Sequence, residues 1–122
     1  MNLNMMSLDL SVVIESLQNK CKLSECELKN AQQLYVEYLT LRSMFPDMLL
    51  SPPSLADMVW HEHLNFHDKY EDDCYKLFGK YLTHYTGDDD EILELAWKNT
   101  KEMYANVFGK SLPLNIEAGR CR

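Results

Sequence analysis

The sequence is short of cations. Against 19 Asp and Glu it carries only 12 Lys and Arg, a net charge of -7 over 122 residues. The basic side chains are scattered, as at Lys20, Lys22, Lys29, Arg42 and Lys98. Neutralising a phosphate backbone needs clustered Lys and Arg, so neither nucleic acid nor an anionic membrane is expected as a partner. Long apolar runs are missing as well: no stretch approaches the roughly 18 consecutive apolar residues of a membrane span. The opening Met1-Asn2-Leu3-Asn4-Met5-Met6 has no basic lead and no long apolar run before Asp9, so it does not read as a secretory signal, and a cytoplasmic location is expected.

Glycine is scarce, at 4 residues, and no glycine-rich phosphate loop is present, which argues against the usual nucleotide-dependent mechanisms. There is no sustained strand-type alternation, no internal repeat and no low-complexity linker. Cysteine is present at Cys21, Cys26, Cys74 and Cys121, but without export these thiols are expected to stay reduced. Cys21 and Cys26 lack the two-residue gap of a zinc knuckle and read as packing residues or bystanders.

What is there suits one soluble domain. With 46% apolar and 25% charged residues the chain can build a single core without disulfide or metal staples. The expected fold is all-α, a compact bundle of about five helices with no sheet. It occupies residues 1–113, and 114–122 is expected to be a loosely held tail that includes Cys121. Val12, Val13, Leu17 and Cys21 mark a first helix after Asp9 or Ser11. Ser24 followed by Glu27 is a capping box, behind which Leu28, Ala31, Leu34, Tyr35, Tyr38, Leu39 and Arg42 follow three- and four-residue spacing to a stop at Phe45-Pro46.

The Ser51-Pro52-Pro53-Ser54 turn delivers Ser54 as the N-cap of a third helix starting near Leu55, with Asp57 completing a second box. A break between Asn65 and Asp68 makes Asp68 the cap of a fourth, carrying Tyr70, Cys74, Tyr75, Leu77 and Phe78 and ending at Gly79. Gly87-Asp88-Asp89-Asp90 opens the last helix, whose apolar face is Ile92, Leu93, Ala96, Thr100, Met103, Tyr104 and Val107 and whose end is Gly109 and Pro113. The acidic run there lacks the alternate-residue spacing of a calcium loop and reads as helix capping.

Several uncommon residues recur in a recognisable order: Tyr38-Leu39, Leu41, Pro46, Ser51-Pro52, Asp57, Val59-Trp60-His61, His63, Tyr70, Asp73-Cys74, Phe78-Gly79, His84, Thr100, Tyr104, Phe108-Gly109 and Pro113. In this order the chain resembles the glycine-rich domain-containing protein-like family from Gln32 to Pro113. The resemblance implies a helical module whose signature is Trp-His-x-His followed by a Tyr-x-x-Asp-Cys helix, and it brings no reaction. Longer members carry glycine-rich and RNA-associated regions outside the shared module; those are absent here, and the nucleic-acid association is not transferred.

All four histidines fall between His61 and His84, with Tyr70, Asp73 and Cys74 among them. His61 and His63 are two apart, so on a helix they project about 200° from each other and cannot share a metal. One of the two is expected to be the working residue. The candidate metal ligands are His61, His63, Cys74 and His84, with zinc or iron as the candidate metals, while Tyr70 and Asp73 are candidates for catalytic or orienting roles. His67 reads as a surface residue near a helix start. His61-Glu62 followed by Asn65 at the place of the second histidine rejects a thermolysin-like zinc hydrolase.

Three functional readings stay open at this level. The histidines form a metal-binding or acid-base site acting on a small-molecule substrate. Alternatively they only brace the fold of a non-catalytic adaptor, whose acidic surface recruits a basic protein partner. In the third, the chain is carrier-like or precursor-like, with a functional Arg120-Cys121-Arg122 tail.

Overall fold

The computed structural model describes residues 8–83 and 89–112. It contains five helices among the described residues: α1 (Ser11–Lys20), α2 (Glu25–Met44), α3 (Ser54–Asn65), α4 (His67–Phe78) and α5 (Asp90–Phe108). No strand occurs among those residues. The all-α bundle expected from periodicity is the observed architecture. Residues of the 114–122 tail, together with Pro113, His84 and Gly87, lie outside the described residues.

Local chemistry sets most of the helix ends. The Ser24 hydroxyl accepts from the Glu27 amide at 3.1 Å while the Glu27 carboxylate accepts from the Ser24 amide at 3.2 Å, so two otherwise orphaned N–H groups are satisfied as α2 begins. Asp89 caps α5 by accepting from the Glu91 and Ile92 amides. Gly79 and Gly109 end α4 and α5 with φ of +71° and +68°, the left-handed conformation that a Cβ disfavours.

Two expected caps are not formed. α3 begins one residue earlier than expected, with Pro53 at its N-cap and no side-chain cap, so Ser54 is already helical and Asp57 completes no box. Likewise α4 starts at His67 behind Phe66, and Asp68 serves as an acidic group in the first turn, where it favours the helix dipole.

α3 is the hub. Its most extensive interface is with α2, and it also packs against α1 and α4, while α5 docks on α2. The apolar stripes of these helices meet in one core holding Val13, Tyr35, Leu41, Val59 and Trp60, each 0% exposed. The proline turn between α2 and α3 is fastened to α5: the Ser51 amide donates to the Thr100 hydroxyl at 2.9 Å, and Asn99 donates to the Leu49 carbonyl at 3.0 Å. Farther along α5, the Tyr104 hydroxyl donates to the Glu37 carboxylate at 2.8 Å, tying α5 to the outer side of α2. With α3 held from three sides, its inward-facing polar residues are locked at the centre of the molecule.

Candidate functional site

The inward stripe of α3 passes through Val59, then Glu62 and His63, three and four residues on. His63 is 1% exposed, at the meeting point of α2, α3 and α4. Its Nδ1 is 2.7 Å from the Tyr35 hydroxyl of α2, and its Nε2 is 2.9 Å from Asp73 Oδ2 of α4. The Asp73 carboxylate can only accept, so Nε2 carries the proton and Nδ1 accepts from Tyr35. The same Asp73 oxygen takes a second donor, Lys69 Nζ, at 2.9 Å. A hydrogen-bonded line therefore runs from the core outward: Tyr35, His63, Asp73, Lys69.

Burial sets the charge state of this line. It pushes the His63 pKa down, and the Asp73 carboxylate opposes that shift without overcoming it. Burial also holds the Tyr35 hydroxyl protonated, with its pKa raised well above the ordinary value. The ionic partner of Asp73 is thus Lys69, and His63 joins them as a neutral donor. Rings complete the enclosure: Tyr35 meets the imidazole edge-on with centroids 5.8 Å apart, and Tyr70 does so at 4.9 Å.

A second line begins beside the first. Trp60 Nε1 donates to the Tyr70 hydroxyl at 2.9 Å, and that hydroxyl donates to the Leu82 carbonyl at 2.6 Å, pinning the segment after α4 onto the core. Cys74 is buried beside this line, 2% exposed, and burial raises its thiol pKa. A thiol held protonated in such surroundings is a poor nucleophile and a poor ligand. Tyr70 is likewise raised by burial.

The candidate residues are therefore divided. His63, Tyr70, Asp73 and Cys74 come together in the interior. His61 does not join them; it leaves the opposite side of α3, its side chain 56% exposed, with Nε2 3.5 Å from Asp57. Of the two α3 histidines expected as alternatives, His63 is the one that sits near Cys74: the helical turn that buries one histidine puts the other into solvent. His67 is also outside, 3.6 Å from Glu71. His84 lies outside the described residues. Among the described residues, no group of three or more His, Cys, Asp or Glu side chains is placed to hold a metal.

Three participants escaped sequence reading. Tyr35 looks like any core aromatic, and Lys69 like any surface lysine, although its position four residues before Asp73 on one helix was a usable sign. Glu62 is only 5% exposed. Its carboxylate accepts from the Ser16 hydroxyl at 2.6 Å and from Lys20 at 2.8 Å, clamping α1 onto α3. The Lys20 and Ser16 hydrogen bonds outweigh desolvation and lower its pKa. The missed signal was register, because Glu62 occupies the inward stripe of α3.

Acid-base catalysis needs a lone pair or a proton that can face a substrate. Here the Nδ1 lone pair is covered by a tyrosine that is itself 0% exposed, and the Nε2 proton is held by a paired carboxylate. Only the Lys69 end approaches solvent, with its side chain 26% exposed. The arrangement joins three helices through satisfied buried polar groups, which costs little while intact and much when one member is removed. No family model, curated protein or solved structure matches this chain.

Proposed function

We propose that the protein is a non-catalytic helical interaction module in which the histidine cluster braces the fold and an acidic face recruits a basic protein partner. One observation carries the first half of this reading: both ring nitrogens of His63 are occupied by internal partners in a site that is 1% exposed. The residues carrying the family resemblance support it, because Trp60, His63, Tyr70 and Asp73 take part in the two interior lines and Cys74 is buried beside them. On this reading the Trp-His-x-His and Tyr-x-x-Asp-Cys motifs are folding signatures.

The partner-binding half rests on charge. The outer surface of α4 presents Asp68, Glu71 and Asp72 as exposed carboxylates in a chain of net charge -7. Beside it, Asp9, Asp68, Asp72 and Asp73 line a depression of about 520 Å³ along with Lys69 and Lys76. Such a field draws in basic segments and accelerates their encounter. The experiment has two arms. Untagged protein equilibrated with zinc or iron and then dialysed should retain far less than one metal per chain, and stoichiometric metal lost on His63→Gln would overturn the brace. Cross-linking in cell extract should place partner lysines against α4, with the yield lost in the Asp68→Lys, Asp72→Lys variant; an unchanged yield would remove the acidic face from the function.

A further inference from the structure

A second cleft, which shares only Leu77 with the acidic depression, has the opposite electrostatic character. It measures about 860 Å³ and is formed by the end of α2, the turn after it, and the end of α4 with the segment that follows. A volume of this order falls within the range of about 300–1,000 Å³ common for small-molecule sites. Two cations, Arg42 and Lys80, line it, and no carboxylate among the described residues does so. That runs against the balance of a chain with 19 acidic and 12 basic residues.

Neither cation has a carboxylate partner among the described residues. Arg42 is held from behind: its Nη1 donates to the Tyr38 hydroxyl at 3.0 Å, and its guanidinium carbon lies 5.9 Å from the Tyr38 ring and 6.0 Å from the Trp60 ring. The Tyr38 hydroxyl in turn donates to the Leu50 carbonyl at 3.2 Å, so the support of Arg42 is anchored in the cleft wall. The stack orients a planar fork whose remaining donors are suited to a carboxylate. Apart from Ser43 and Thr83, the rest of the wall is built from apolar and aromatic residues. Met44 and Tyr81, 44% and 39% exposed, are two of the five exposed large hydrophobic residues among the described residues, and both line the cleft.

We infer that this cleft is a binding site for a small amphipathic carboxylate, whose charged head pairs with Arg42 and Lys80 and whose apolar body lies against Met44, Leu50, Tyr81 and Leu82. Charge complementarity selects the head, and a wall with no acidic group selects against amines. The inference is independent of the acidic-face reading, since it concerns different charged residues and the opposite sign of ligand.

Sodium octanoate is the probe, titrated into the full chain and followed by NMR of side-chain methyl groups and the Arg42 Nε–H. Octanoate is expected to shift Leu50, Leu82 and Arg42 in one saturable transition, while acetate, which has no apolar body, and octylamine, which has the wrong sign, leave them in place. Lys80→Glu is expected to weaken octanoate by about fivefold or more, as for a lost and reversed exposed ion pair. Arg42→Lys is expected to weaken it too, through loss of the fork. Lys80 is exposed, so its variant decides the matter even if Arg42→Lys unsettles the fold.

Octylamine shifting the same methyls as strongly as octanoate would overturn the assignment, as would a Lys80→Glu variant that binds octanoate unchanged. So would contacts, in the ligand-free protein, between the Leu50 or Leu82 methyls and residues 113–122 or a second copy, because the chain would then fill the cleft itself. Displacement of octanoate by a lower concentration of a Glu- and Leu-rich peptide would reassign the cleft to a protein partner.

Discussion

His61 and His63 are the same residue type on the same helix, two positions apart, and they live in different solvents. The His61 side chain is 56% exposed, with its carboxylate neighbour at 3.5 Å, at the outer limit of an ion pair. His63 is 1% exposed, with a partner within 3 Å of each ring nitrogen. In water the first contact is screened and costs side-chain entropy, so it contributes little. In the interior the same chemistry cannot be exchanged for water, and losing one partner strands the others. What a histidine does here is decided by its angular position on α3 more than by its neighbours in sequence.

The comparison can be broken at several points, beginning with the largest effect. His63→Ala strands the Tyr35 hydroxyl and the Asp73 carboxylate and opens a cavity, so it should cost roughly 2–4 kcal/mol of unfolding free energy. His61→Ala, by contrast, should stay within about 0.5 kcal/mol. Urea denaturation of the two variants side by side measures both, and equal losses would show that burial does not separate them.

Next in size is Tyr35→Phe, which removes the hydroxyl donated to Nδ1 and should cost about 1–2 kcal/mol, with a coupling to His63→Gln of about 1 kcal/mol in a double-mutant cycle. Additive losses would mean that the 2.7 Å contact contributes nothing as a pair.

pH sharpens the contrast in a third way. The His63 pKa is lower folded than its ordinary value of 6.5, so the unfolded chain binds more protons and stability falls as pH drops below 6.5 through the folded value. Thermal melts from pH 7.5 downward should show a decline that His63→Gln removes over that window. A further loss should persist in the variant at lower pH, because Glu62 is also shifted down from 4.5 and its contribution, present above 4.5, is lost as pH falls through its folded value. A His63→Gln variant that keeps the whole wild-type decline would put the sensitive group elsewhere. Within the buried line the smallest effect is expected at Lys69, whose side chain is 26% exposed: Lys69→Met leaves Asp73 to His63 alone and should cost about 1 kcal/mol or less in urea denaturation.

Much of the fold was legible because helices declare themselves locally. The three- and four-residue spacing behind Ser24 gave α2, and Gly79 and Gly109 gave two ends, since each signal acts within one turn of the chain. The caps at Ser54 and Asp68 were misplaced for the same reason in reverse. Each fits a local pattern, but α3 starts one residue earlier, behind Pro53, and α4 two residues earlier, behind Phe66, than the pattern implies. For the site, the opposed directions of His61 and His63 followed from helix geometry. Which one faces inward, and that Tyr35 waits there to meet it, depends on how α2 and α4 close over α3. Residue spacing within one segment carries no record of contacts between residues 28 and 10 positions apart.

The most direct test is long-range 1H–15N correlation of the histidine rings at neutral pH, recorded before and after one equivalent of zinc. The expected spectrum shows His63 as a neutral ring protonated on Nε2, with both nitrogen shifts unmoved by the metal. A His63 that is charged at neutral pH, or whose ring nitrogen moves to a metal-bound shift when zinc is added, would contradict a buried brace and restore a ligand-binding centre at that position.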